Sequence, residues 1–232
     1  MTVRPAWLLA ILILLGWILG VASDLVSVCP SFPQGLPCES ATYYLAQFNL
    51  LVVNYHQYYQ LFSSNFVTDS LPDAAFNAVA VLILDRISDS SHFNITRYLV
   101  IFFFSATLGN VLSLLAGPYY VSAGASGGIF GLYAAIFSFS WAEEKRIEKG
   151  TLALFLIIFI ASALIPGVNS IAHLGGAIGG FITGPLLYRR LEQKMQSFSQ
   201  STESSATMKL IMSTVLVALT LATIWQFLVF VA

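Results

Sequence analysis

Charged residues are scarce in this sequence. Asp, Glu, Lys and Arg make up 9% of the chain, whereas soluble domains carry roughly 25%, so an ordinary soluble domain is excluded. The formal net charge is -1, and the chain therefore offers no basic surface that would attract nucleic acid. We predict that nucleic acid is not a partner.

Cysteines and metal-binding motifs are also nearly missing. The two cysteines, Cys29 and Cys38, lie in a proline-rich stretch, and their spacing leaves open whether they form a disulfide or remain separate thiols. None of the three histidines belongs to an H-E-x-x-H pattern, which is the zinc signature of metalloproteases. We predict neither a metal ion nor a cofactor.

Long apolar runs are the main feature that is present, and hydrophobic residues make up 57% of the chain. A membrane-spanning helix needs about 20 mostly apolar residues. Seven windows meet this need: 6–22, 70–87, 98–116, 126–142, 151–168, 169–188 and 209–231. Pairing of strands does not explain uninterrupted runs of this length. The sequence therefore predicts an all-α fold, a polytopic bundle of membrane helices.

The basic residues predict the orientation of the chain in the membrane. With the N-terminus in the cytoplasm, all ten Lys and Arg fall on the inner side, as the positive-inside rule requires. The C-terminus then lies on the outer side, and the expected location is the cell membrane, with a secretory-pathway membrane as the alternative. The first apolar run has a second interpretation as a cleaved signal peptide, because Arg4 precedes it and small residues end it.

Two segments between the apolar windows have a distinct composition. The outer loop 23–68 contains five tyrosines beside an aliphatic run in its second half, and tyrosine rings favour the interface between lipid and water. We therefore expect this loop to be partly interfacial. Segment 191–208 is polar and serine-rich, so it is predicted to be a cytoplasmic linker before the last helix, 209–232.

A serine flanked by glycines begins the fourth window, in the run Gly124-Ala125-Ser126-Gly127. Glycines let the backbone turn sharply, and a serine at a helix start has unpaired backbone N–H groups nearby, which suits acyl transfer through an anionic intermediate. Simple helix packing is the alternative, because Gly127 and Gly131 form a small-xxx-small pair.

The sixth window carries His173 on the same helical face as Gly176 and Gly180. An ionisable side chain within a span is energetically expensive, which indicates function, although a histidine that only hydrogen-bonds between helices is the alternative. Ser126 and His173 are expected at similar depths near the outer ends of their helices. Because a neutral imidazole accepts the proton of a serine, the pair predicts a catalytic dyad.

These two motifs resemble the signatures of the rhomboid family of intramembrane serine proteases. The family carries G-x-S-G in its fourth span and A-H-x-x-G-x-x-x-G in its sixth, and both patterns occur here, at 124–127 and 172–180. The resemblance covers residues 1–190 as a six-span catalytic core, and the seventh helix is similar to the six-plus-one layout of part of the family. It implies a serine endopeptidase with Ser126 as nucleophile and His173 as base.

The resemblance also implies an oxyanion site. In the family, an H-x-x-x-N pattern at the start of the second span helps to bind the tetrahedral oxyanion; here Asn77 fits the asparagine, but Asp73 occupies the histidine position. We therefore assign oxyanion and substrate binding to Asn77, to the backbone N–H of Ser126 and to Gly124. An ionised Asp73 would repel the oxyanion, whereas at the start of a helix it would be stabilising, with Asp69 or Ser70 as cap.

Two further family features differ or leave alternatives open. A Trp-Arg pair found in the first outer loop of many members is replaced by Tyr59 and Gln60. Phe130 stands where the family places an aromatic ring against the histidine, and simple core packing explains it equally well.

The expected partners are the lipid bilayer and single-span membrane proteins, cleaved near the outer membrane face; the oligomeric state stays open. A catalytically silent relative that binds membrane clients is an alternative function, favoured by Asp73 but disfavoured by the retention of Ser126 and His173. A small transporter is a third function, disfavoured because the sequence shows no obvious inverted repeat.

Overall fold

The computed structural model describes residues 5–26, 41–68, 70–88, 93–146 and 149–197. The predicted seventh helix, 209–231, and both cysteines, Cys29 and Cys38, lie outside the described residues, so these predictions stay untested.

The described chain is a bundle of helices. In chain order they are α1 (Pro5–Val26), α2 (Ala41–Leu45), α3 (Asn49–Asn54), α4 (Gln60–Ser63), α5 (Leu71–Ile87), α6 (Ile95–Ser113), α7 (Ser126–Glu144), α8 (Lys149–Ala163) and α9 (Ser170–Ser197). Single 3-10 turns, Ser64–Phe66 and Leu114–Ala116, follow α4 and α6. The first six predicted apolar windows each fall on one of the long helices α1 and α5 to α9, which confirms the all-α class.

Helix starts follow from local sequence. The Ser70 hydroxyl accepts a hydrogen bond from the backbone N–H of Asp73 at the start of α5, and Pro72 occupies the first turn, where its missing N–H costs nothing. The Asn94 side chain accepts a hydrogen bond from the N–H of Arg97 in the same way at α6. Of the two caps considered for the second window, Ser70 is therefore the cap.

The predicted boundaries of the fifth and sixth windows were partly wrong. The fifth window was predicted to extend to residue 168, but α8 ends at Ala163. Pro166 disfavours the helical conformation of the residue before it, and Gly167 has a positive φ of 83°. The sixth window covers residues 169–188, but α9 continues to Ser197. The helix therefore extends into the segment 191–208.

The central helix of the bundle is α7, whose residues from Phe130 to Phe139 are all buried. It packs in parallel against α9 at an interface of glycines. A Cβ on Gly176 would overlap the carbonyl oxygen of Gly127, and one on Gly180 would overlap that of Gly131. Small residues allow this backbone contact between helices, so the packing role considered as the alternative for Gly127 and Gly131 is present beside the serine motif. In chain order α8 lies between α7 and α9 and returns the chain across the bundle. The helices α7 and α9 can therefore run in the same direction.

The described part of the outer loop, residues 41–68, contains a short strand in addition to helices. Strand β1 (Gln47–Phe48) pairs antiparallel with β2 (Val121–Ser122), just before α7. The buried Gln47 donates to the Asn110 carbonyl oxygen of α6 at 2.9 Å. These contacts attach the loop to the bundle.

Two helices in the described ranges are long and apolar enough to cross a membrane on their own, over Ile95–Ala116 and Ser170–Leu187. A third crossing results if the segments Gln60–Phe66 and Leu71–Ile87 form one bent span. Shorter apolar helices cover Ala6–Ala22 and Lys149–Ala163. The count of seven spans stays a prediction.

Candidate active site

Ser126 and His173 are hydrogen-bonded to each other. Ser126 is the first residue of α7, and His173 lies within the first turn of α9. The Ser126 Oγ is 2.7 Å from the His173 Nε2. The glycine interface between α7 and α9 brings the two side chains to this distance although 47 residues separate them in the chain. His173 is only 4% exposed, so its ring is largely shielded from water.

The loop before Ser126 has a conformation that requires glycine. Gly124 has a φ of 119°, which side-chain-bearing residues rarely adopt. Its N–H donates to the Ser64 carbonyl oxygen at 2.8 Å, which attaches the loop to the turn after α4. The chain then enters α7 at Ser126, where the first backbone N–H groups have no partner within the helix. The position therefore suits a group that develops negative charge.

Phe130 contacts the imidazole of His173. The two ring centroids are 4.4 Å apart, and the ring planes are inclined by 35°. Phe130 also meets Phe155 and Phe159 of α8 edge to face, at 5.9 and 5.5 Å. The two interpretations of this residue are thus compatible, because one ring packs in the core and against the histidine.

Asn169 positions the start of α9. Its side-chain oxygen accepts a hydrogen bond from the Ala172 N–H at 3.0 Å, and its backbone oxygen accepts from the His173 N–H at 3.1 Å. Its Nδ2 donates to the Ser122 Oγ at 2.9 Å and also to the Ser113 Oγ. The only sequence signal for this role is an asparagine directly before a helix start.

Ser162 of α8 is a second residue that the sequence reasoning missed. Its Oγ is 3.1 Å from the His173 Nδ1, so both ring nitrogens of His173 have a hydroxyl neighbour. Nothing in the sequence distinguishes this serine from one that only packs within an apolar helix.

The side chain of Asn77 lies beside the loop that leads to Ser126. Asn77 is 2% exposed, and its Nδ2 is a buried donor without a hydrogen-bond partner among the described residues. A Cβ on Gly124 would lie 3.9 Å from this Nδ2. Burying an unsatisfied donor costs about 1 to 3 kcal/mol, and such groups in a folded protein call for an explanation.

Like Asn77, Asp73 lies beside Gly124. The Cβ position of Gly124 is 3.2 Å from the Asp73 Oδ2, while the Asp73 N–H donates to the capping Ser70. Asp73 therefore belongs to the helix start and also faces the glycine loop. Within the described residues, no three His, Cys, Asp or Glu side chains form a group that could hold a metal ion.

Comparisons with known proteins agree on one family. The profile of the Rhomboid domain matches residues 55–190. RHOMBOID-like protein 4 of Arabidopsis thaliana is 28% identical over 144 residues, 60% of this chain and 36% of that protein. Rhomboid-like protease 3 of Toxoplasma gondii is 35% identical over 91 residues, covering 36% of this chain and 35% of that protein. Rhomboid protease GluP of Bacillus subtilis is 31% identical over 96 residues, covering 39% and 18%.

The matched range 55–190 is more than half of the chain, and it contains Asn77, Gly124, Ser126 and His173. The chain belongs to the rhomboid family. It is therefore a membrane protein of a family of intramembrane proteases. The alignments span about a third of the length of the Arabidopsis and Toxoplasma relatives.

The outer loop of this rhomboid is held together by neutral groups where many members of the family have a Trp-Arg pair. The Tyr59 hydroxyl donates to the Tyr44 carbonyl oxygen at 3.0 Å, and Gln60 accepts from the Phe48 N–H at 2.9 Å and donates to Gln57 at 3.0 Å. Burial raises the pKa of Tyr59 to about 12, further above neutral pH than its ordinary value of about 10. Tyr59 and Gln60 thus connect the parts of this loop without a charged side chain.

Proposed function

We propose that this rhomboid is an intramembrane serine endopeptidase that uses Ser126 as nucleophile and His173 as general base. The observation that carries the proposal is the 2.7 Å contact between the Ser126 Oγ and the His173 Nε2. A serine hydroxyl is a weak nucleophile unless a neighbouring base takes its proton, and this distance is within the range for that transfer.

The chemistry follows from the positions of these groups. The Ser126 Oγ attacks the carbonyl carbon of the scissile peptide bond while its proton passes to the His173 Nε2. The C–N bond then breaks, and the imidazolium returns the proton to the leaving amine. Water attacks the acyl ester with His173 again as base, which frees the acid product and restores Ser126.

Asn77 and the backbone N–H of Ser126 are proposed to bind the oxyanion of the tetrahedral intermediate. The buried Asn77 Nδ2 lacks a partner among the described residues, so a donor is available without first breaking a bond inside the protein. Donors aimed at an oxyanion contribute about 3 kcal/mol each. Gly124 keeps the space beside the Asn77 Nδ2 and the Asp73 Oδ2 free of a side chain.

The proposed substrates are single-span membrane proteins cleaved in or near their transmembrane helix. A peptide bond inside a helix is shielded and hydrogen-bonded, so small or helix-breaking residues near the cleavage site favour the reaction. The proposed orientation has the N-terminus in the cytoplasm and the starts of α7 and α9 near the outer face, and the proposed location is the cell membrane; the distribution of Lys and Arg under the positive-inside rule supports this orientation.

The test uses the full chain in lipid nanodiscs, a fluorophosphonate probe for reactive serines and a model single-span substrate. Wild-type protein is expected to be labelled and to cleave, whereas Ser126→Ala loses both labelling and cleavage because the nucleophile is gone. His173→Ala is expected to lose cleavage because no base activates Ser126. Cleavage that persists in Ser126→Ala would refute the serine mechanism.

A catalytically silent, client-binding protein is the second candidate, and the position of Asp73 favours it. A carboxylate beside Gly124 would oppose the negative charge of an oxyanion. Under this alternative, the substrate co-purifies with the wild-type protein, but neither probe labelling nor cleavage occurs.

A further inference from the structure

We propose that Ser162 is a positioning residue that holds the imidazole of His173 in the tautomer needed to accept the proton of Ser126. This inference rests on the proposed function, and it adds a third side chain to the Ser126–His173 pair. It is carried by two contacts of one hydroxyl: the Ser162 Oγ is 3.1 Å from the His173 Nδ1 and 2.8 Å from the Phe159 carbonyl oxygen.

The proton of Ser162 is assigned by the Phe159 carbonyl. A hydroxyl has one hydrogen to donate, and a carbonyl oxygen only accepts. We assign the hydrogen of Ser162 to the Phe159 oxygen, which is the nearer of the two partners at 2.8 Å against 3.1 Å, so that a lone pair of the Ser162 Oγ faces the Nδ1 of His173. For that contact to be a hydrogen bond, the Nδ1 has to carry the hydrogen.

This assignment determines the other ring nitrogen. A neutral imidazole carries a hydrogen on one nitrogen only, so the His173 Nε2 is left with a free lone pair facing the Ser126 hydroxyl, 2.7 Å away. In the opposite tautomer, the Nε2 would donate to the Ser126 Oγ and have no lone pair for its proton. The tautomer of a histidine is set by the bond that its second nitrogen makes, and that bond here goes to Ser162.

The face of α8 that carries Ser162 is the face that packs on the site. Phe155, Phe159 and Ser162 follow each other at intervals of four and three residues, which places them on one side of the helix. Phe155 is buried against Phe130 and Tyr133 of α7, with ring centroids 5.9 and 5.4 Å away. Packing of these aromatic rings thus positions the Ser162 hydroxyl next to His173.

Steady-state kinetics of the full chain in nanodiscs test the role of the hydroxyl. We expect Ser162→Ala to lower kcat about fivefold at unchanged KM, because one neutral hydrogen bond that orients the base is lost. Ser162→Thr keeps a hydroxyl that reaches a carbonyl of the preceding turn, so we expect it to keep most of the wild-type kcat.

A matched control moves the hydroxyl without removing it from α8. In the double variant Ala161→Ser with Ser162→Ala, the hydroxyl is displaced by about 100° around the helix, to an exposed position. We expect this variant to be as slow as Ser162→Ala, whereas Ala161→Ser alone should match the wild type. A wild-type kcat in Ser162→Ala, or a slow Ser162→Thr with a normal melting temperature, would contradict the inference.

The tautomer itself can be read from the 15N NMR spectrum of histidine-labelled protein, with His173→Gln to assign the signal. We expect hydrogen on the Nδ1 in the wild-type protein and a loss of this preference in Ser162→Ala. Hydrogen on the Nε2 of the wild-type protein would overturn the inference without any variant. Failure of the proposed function is a separate outcome, because it is detected by cleavage that survives Ser126→Ala.

Discussion

The two sides of the candidate site are built from different kinds of contact. On one side, the glycine seam, formed by Gly127 and Gly131 of α7 with Gly176 and Gly180 of α9, places backbone directly on backbone. On the other side, α5 reaches the site through the side chains of Asp73 and Asn77. The seam has no rotamers to adjust and therefore sets the distance between Ser126 and His173. The α5 side can change chemistry by substitution of one residue.

The largest effect is expected at the seam. Gly176→Val places a side chain against the carbonyl of Gly127, so the helices have to separate, at a cost of about 3 kcal/mol. We expect a lower melting temperature in detergent and loss of cleavage. Leu174→Val is the control, because Leu174 lies on the exposed side of the same helix. Native stability and activity in Gly176→Val would show that the seam does not set the geometry of the dyad.

A smaller effect is expected on the α5 side. A substitution there should lower activity without lowering stability. Asn77→Ala is expected to lower kcat about 10²-fold, because a donor to the oxyanion is lost. Its melting temperature should stay near the wild-type value, since the Asn77 Nδ2 has no partner to lose among the described residues.

Asn110 provides the matched control for Asn77. It is also buried, but its Nδ2 donates to the Leu61 carbonyl oxygen at 2.8 Å and to the Ser64 Oγ at 3.0 Å. Asn110→Ala should therefore destabilise the protein by about 1 to 3 kcal/mol. If Asn77→Ala behaves like Asn110→Ala, with stability lost and kcat kept, then Asn77 is structural and the contrast between the two sides fails.

The smallest effect is expected for Asp73→His. Replacing a carboxylate with a hydrogen-bond donor beside Gly124 should raise kcat about fivefold, the value of roughly one neutral hydrogen bond. Asp73→Asn, measured in parallel, removes the charge without adding a ring and should give part of the gain. An unchanged or lower kcat in Asp73→His would mean that the site has adapted to the carboxylate.

The long helices among the described residues and the two residues of the proposed dyad could be predicted because their signals are local. The length of an apolar run predicts a membrane helix, and Ser126 and His173 lie within short glycine motifs. Asn169 and Ser162 could not be predicted in the same way. Their importance comes from partners 11 to 56 residues away in the chain, and a serine in an apolar helix has the same sequence signature with or without such partners.

The sequence by itself determined the all-α class and the family and singled out Ser126 and His173 as the proposed dyad, because hydrophobic length and short motifs are properties of contiguous residues. Only the tertiary structure decided which atoms meet. Helix packing through glycines brought the Ser126 Oγ to the His173 Nε2. The packing of α5 left the Asn77 Nδ2 without a partner among the described residues, and the packing of α8 placed the Ser162 hydroxyl at the His173 Nδ1. The physical reason is that hydrogen-bond partners depend on the approach of separate helices, which no single segment of sequence encodes.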